Sequence, residues 1–198
     1  MDLEYQKFLP PSAIAYVEGL IEKFPVEIRV VAKRKSKHGD YRTLTNGKHR
    51  ITLNAEPNPY RFLITCIHEI AHLVAFQRYG SGIRSHGKEW KHVYTLLMNP
   101  LLHPEIFPEN LLPFLNQHFK NPKAATDSDS KLIIALQNWD PTPVGLRLFE
   151  IPLGERFRLE NGRTFIKGPK RRTRFLCTEI ASEKQYLVVG HAPVEKIQ

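Results

Sequence analysis

The sequence predicts an α+β domain with a small antiparallel sheet, organised around one long apolar helix and followed by a small all-β domain. Three observations carry this. Leu63, Ile64, Ile67, Ile70, Ala71, Val74 and Ala75 recur at helical spacing, which marks a helix of about 20 residues. Upstream, Asn46-Gly47 sits between two alternating runs, the two-residue signal of a β-hairpin. Downstream of residue 130, short runs such as ERFRLE, RTFIKG, RRTRFLCTEI and QYLVVG alternate or are rich in β-branched and aromatic residues. With 198 residues and 41% hydrophobic content, the chain can bury one ordinary core and a smaller second one.

Taken in order, Pro10-Pro11-Ser12 opens a helix over 11–24, whose stripe is Ile14, Val17, Leu20, Ile21 and Phe24. Pro25 ends it. Val26 to Ala32 is strand-like and runs into the basic tract KRKSKHGDYR. Tyr41–Thr45 and His49–Asn54 are the expected hairpin strands. Asn58 is a natural N-cap and Pro59 a first-turn proline for the long helix, with Gly80 as its stop. A second helical run covers 87–98 and is ended by Asn99-Pro100. Prolines at 104, 108 and 113 then break the chain into short turns. NPKAATDSDS, residues 121–130, reads as a linker. The expected domains are therefore 1–120 and 131–198, the second a β meander or small barrel with Asn161-Gly162 as another hairpin turn.

The net charge of +9 is concentrated in two segments. Residues 25–50 carry eight basic and two acidic side chains, and residues 151–198 carry ten and five. A basic surface on either side of a near-neutral centre suits a polyanion, nucleic acid above all. Lys33, Arg34 and Lys35 in the first segment and Arg171, Arg172 and Arg174 in the second are the candidate phosphate contacts. In the second segment arginines alternate with Phe157, Phe165 and Phe175, so a meander would put the aromatics in its core and cations outside. The two cysteines, Cys66 and Cys177, form no CxxC pair, and the N-terminus lacks an apolar leader. Both fit a reducing, cytoplasmic setting, and no apolar run reaches bilayer length, so a membrane is not an expected partner. Oligomeric state is not legible.

The chemistry lies in the long helix, at His68-Glu69-Ile70-Ala71-His72. Histidines four apart share one helix face and can take two corners of a tetrahedral zinc site, while the glutamate between them reaches a water at an open corner. A third ligand must come from a later segment. SHGKEWKH supplies His86, Glu89 and His92. His86, at a helix start beside glycine, is the first choice and Glu89 the second. Tyr94 could stabilise an oxyanion but reads better as packing.

HEIAH followed after about fourteen residues by HGKEWK resembles the SprT-like metalloprotease family, over roughly Pro11 to Leu97. The resemblance implies a zincin-like fold and a zinc ion held by His68, His72 and His86, with Glu69 catalytic. It implies cleavage of proteins bound or cross-linked to DNA. Zinc with three protein ligands activates a water, and Glu69 would act as its general base. In such a fold an edge strand beside the metal helix holds extended substrate, and His49–Asn54 is the expected edge. Many family members carry a zinc ribbon after this domain; with only Cys177 in its place, a cysteine-stapled ribbon is excluded. The alternative is a nucleic-acid-binding protein with a structural or inactive zinc site, which has no use for Glu69.

Overall fold

A computed structural model of the chain describes residues 4–34, 37–123, 129–141 and 145–197. It is a mixed α+β structure in two compact units, Met1–Pro141 and Thr142–Gln198. In the first, α1 (Ile14–Lys23) leads to β1 (Glu27–Val31), β2 (Gly39–Thr43) and β3 (His49–Asn54). Helices α2 (Pro59–Tyr79), α3 (Lys88–Met98), α4 (Leu112–Phe119) and α5 (Ser130–Gln137) follow.

The small antiparallel sheet expected in the first domain is in fact mixed. Its order is β1-β3-β2, with β1 parallel to β3 and β2 antiparallel to it. The expected edge strand, His49–Asn54, is therefore the central one. Its last four residues are buried, which suits a strand paired on both sides. The two edge strands are β1 and β2, and β2 is the one that meets Glu69 of α2. Pairing between consecutive strands is local information, but insertion of β3 between β1 and β2 is a long-range choice.

The ends of α2 follow the local chemistry. The Asn58 side chain accepts the Arg61 N–H at 3.1 Å, Pro59 sits in the first turn, and Gly80 closes the helix at φ 76°. Phe62, Leu63, Ile67, Ile70, Ala71 and Val74 are almost fully buried, so α2 is the spine of the core. Trp90, Val93, Tyr94, Leu97 and Met98 of α3 pack in the same cluster.

Helix α5 belongs to this unit as well. Leu132, Ala135 and Leu136 join the first core, although the reading from sequence placed 131–141 in the second domain. Asn58 ties the segment down, donating to the Leu136 carbonyl and to Asp140 Oδ1, both at 2.7 Å. Residues 124–128 of the expected linker lie outside the described residues.

The second unit is an antiparallel five-stranded sheet of order β7-β6-β5-β4-β8. The strands are β4 (Arg156–Leu159), β5 (Thr164–Arg171), β6 (Arg174–Glu179), β7 (Gln185–Val189) and β8 (Val194–Lys196). Phe157, Phe165 and Cys177 form its core with Leu148, Ile151 and Val194. Arg156, Arg158 and Arg174 alternate with these onto the exposed face. No described helix is long and apolar enough to cross a membrane.

Candidate metal centre

His68 and His72 stand one turn apart on α2, and His86 reaches them from the loop between α2 and α3. The three Nε2 atoms converge, with separations of 3.1 Å (His68–His86), 3.3 Å (His68–His72) and 3.0 Å (His72–His86). Among the described residues they form the one cluster of side chains able to hold a metal.

Hydrogen bonding among themselves cannot satisfy these nitrogens. Each Nε2 is either a donor or an acceptor, so in a triangle at least two are alike and face each other. A shared cation removes the conflict. Nitrogens about 2.0–2.1 Å from a tetrahedral zinc would lie about 3.3–3.4 Å apart, close to the observed spacing. The donor set and its geometry therefore fit zinc. All three imidazoles favour the neutral, ligating form. Burial, and then the neighbouring imidazoles, hold His68 down to about 2 and His72 to about 4; burial alone lowers His86.

The backbone accepts strain to bring His86 in. Its φ of 60° is in the left-handed region, which side chains with a Cβ adopt at a cost. Gly87 follows as the N-cap of α3. Ser85 Oγ lies 3.2 Å from Nδ1 of His86, where it can accept the Nδ1–H and turn the Nε2 lone pair inward. Trp90, fully buried, packs on all three rings, with centroids at 4.6 Å (His68), 5.2 Å (His72) and 4.6 Å (His86). That support went unseen in the sequence, although a tryptophan one helical turn after His86 was a signal for it.

Glu69 is buried and points to β2. The N–H of Tyr41 donates to its carboxylate. The His38 carbonyl accepts the Asn54 N–H and the Leu44 N–H donates to the Lys48 carbonyl, so Gly39, Tyr41 and Thr43 between them turn their main-chain groups away from β3. Gly39 makes the approach possible: a Cβ there would stand 2.5 Å from Glu69 Oε1 and 2.7 Å from its Cγ. Burial, and then the Asp40 charge, raise the Glu69 carboxyl to about 8, while Tyr41 N–H, Arg34 and Lys37 pull the other way.

The other expected residues fall out as follows. Glu89, second choice for the third corner, is not in the cluster. Tyr94 is fully buried and its hydroxyl donates to the Ile64 carbonyl at 3.2 Å, so it packs. Cys66 is buried, its thiol pushed up to about 12, first by burial and then by Glu69.

Arg34, expected to meet phosphate, is instead spent on β3. Its guanidinium donates to Asn54 Oδ1 at 2.8 Å, to Thr52 Oγ1 at 3.0 Å and to the Thr52 carbonyl at 3.2 Å. Lys33 is exposed, with Glu56 at 3.9 Å, and Lys35 lies outside the described residues. Arg171, Arg172 and Arg174 cluster at the β5–β6 hairpin and are exposed, with Arg172 at φ 52° in the turn. By contrast Arg163 pairs with Glu179 at 2.6 Å and covers the Tyr186 ring, and Lys167 is buried on the carbonyls of Phe149 and Ile151.

Residues 13–107 match the model of the SprT-like family. The matched stretch runs from the start of α1 past the end of α3 and contains every residue of the imidazole cluster and Glu69. Neither the curated proteins nor the solved structures contain a match to the chain.

Proposed function

Since residues 13–107 form a SprT-like domain, we propose that this chain is a zinc-dependent endopeptidase of zincin-like architecture. The convergence of three Nε2 atoms beside a buried glutamate on the same helix carries the reading. Zinc held by His68, His72 and His86 would leave a fourth position open, lower the pKa of a water there and polarise a peptide carbonyl.

The rest is the work of the chain's own residues. With zinc bound beside it the ionised carboxylate is favoured, so Glu69 takes a proton from the attacking water and returns it to the leaving amine nitrogen. Tyr41 N–H orients the carboxylate, and Gly39 leaves room for it. An extended substrate pairs along the outward groups of β2 that Glu69 does not occupy, those of Gly39 and Thr43 and the Tyr41 carbonyl, so that β2 takes the edge role expected of His49–Asn54. Since Glu69 reaches the same edge, the carboxylate lies where a paired backbone would pass.

For substrate, the reading follows the family resemblance to proteins bound or cross-linked to DNA. Exposed Arg171, Arg172 and Arg174 supply contacts to the DNA phosphates. Glu69→Gln tests the activity. Expected is loss of cleavage and self-cleavage by at least about 10²–10⁴-fold, with zinc and DNA binding retained. A zinc-loaded wild-type chain that cuts no unfolded or DNA-bound protein would leave a binding module instead.

A further inference from the structure

Beside the imidazole cluster lies a pocket of about 200 Å³. Its apolar walls are Ala75 and Phe76 of α2, Ile83 of the loop and Trp90 of α3; Ser81, Arg84 and Ser85 of the loop line it too, with two residues of the proposed reaction site, His72 and Tyr41. We infer that it is a specificity subsite, receiving one large apolar or aromatic side chain of the substrate; this rests on the protease reading above.

Position is the first argument. Tyr41 belongs to the edge strand that meets α2; its N–H meets Glu69, and the same residue lines the pocket. A strand paired on β2 therefore runs past the cluster with the pocket open to it. Successive side chains of an extended strand point to opposite sides, so one residue near the scissile bond can enter. Size is the second. A cavity of about 150 Å³ lined by apolar side chains accommodates benzene, so about 200 Å³ suits a phenylalanine- or leucine-sized group.

Charge is the third argument, and it excludes. Among the described residues no acid lines the pocket, whereas Arg84 does. A lysine or arginine side chain entering it would meet Arg84 and, with zinc bound, a cation at His72, and no described lining residue offers it a counter-charge. The subsite therefore selects against the residue types that are commonest on nucleic-acid-binding surfaces. It directs cleavage to apolar segments, which folded proteins keep inside.

The test uses the full chain carrying Glu69→Gln and Trp139→Phe, loaded with zinc. It cannot cut, and Trp90 is its sole tryptophan. Its emission follows titration with extended peptides in which Phe, Ala or Lys is placed at each position in turn. Expected is one position where Phe binds about tenfold tighter than Ala and Lys no tighter than Ala. Ile83→Phe, and separately Ser81→Phe at the rim, should bring the Phe-to-Ala ratio to within about twofold while zinc stoichiometry holds. No such position, or an advantage that survives both fillings, overturns the subsite. The chain with Glu69 intact is then given the same peptides. Binding as described with no cleavage keeps the subsite and removes the protease; cleavage with no preference does the reverse.

Discussion

A Cβ on Gly39 would stand 2.5 Å from Oε1 and 2.9 Å from Cδ of Glu69, closer than such atoms ever approach. The carboxylate is thus held from two directions, by the Tyr41 N–H and by the bare face of β2. Gly39→Ala should move it away from its working position. Misplacement by about 1 Å can cost about 10²-fold in rate, so kcat should fall about 10–100-fold while KM changes by less than about threefold. Glu69→Asp shortens the side chain, so in that background the same substitution should cost much less. Equal costs in both backgrounds would mean that Gly39 merely supports the strand. Position 39 is anonymous in the sequence, because its role depends on a helix thirty residues away. His68, Glu69 and His72 are legible because spacing of four on a helix is local, and His86 because its segment offers few ligands. Arg34 misleads for the converse reason: a cation in a basic tract looks solvated until Asn54 and Thr52 are known to surround it.

At the scale of elements, α2 was readable to its caps, since Asn58, Pro59 and Gly80 act within one turn of themselves. Strand order was not: β3 is central, and β2 is the edge strand that meets α2. In the second unit the alternation of arginine and phenylalanine held: Phe157 and Phe165 are buried and Arg156 and Arg158 exposed. Acids neutralise some of its cations, Arg158 by Glu195 and Arg163 by Glu179. The β5–β6 hairpin keeps Arg171, Arg172 and Arg174 exposed. Changing those three to alanine should flatten the slope of log affinity for DNA against log salt by about 2–3. A slope left unchanged would make the hairpin an ordinary solvated surface. A parallel change at Arg34 would instead loosen β3, because its three hydrogen bonds are internal.

For the whole molecule, the buried ionisable groups make the stability of the metal-free chain depend on pH in two opposing ways. Glu69 keeps its proton up to about 8 when folded, against 4.5 for the free side chain. Between these values the folded state binds the extra proton, so stability rises as pH falls. His68 and His72 resist protonation to about 2 and about 4, against 6.5. Below 6.5 the unfolded state binds the extra protons, and two histidines outweigh one glutamate. The metal-free protein should therefore be most stable near about pH 6.5, as urea midpoints from about pH 5 to 8.5 would show. Glu69→Gln should flatten the alkaline limb and leave the acid one. A midpoint that keeps climbing to pH 8 contradicts the burial of Glu69. The division between the units was only partly readable, since the polarity of 121–130 looks like a boundary while Leu132 and Leu136 pack back into the first core.

The most direct test of the centre is the metal content of the purified chain together with X-ray absorption at the zinc edge. Expected are one zinc per chain, three imidazole nitrogens at about 2.0–2.1 Å and one oxygen, with His86→Ala removing one nitrogen and most of the affinity. A chain that binds no zinc, or a shell containing sulfur or a fourth protein ligand, would contradict that centre.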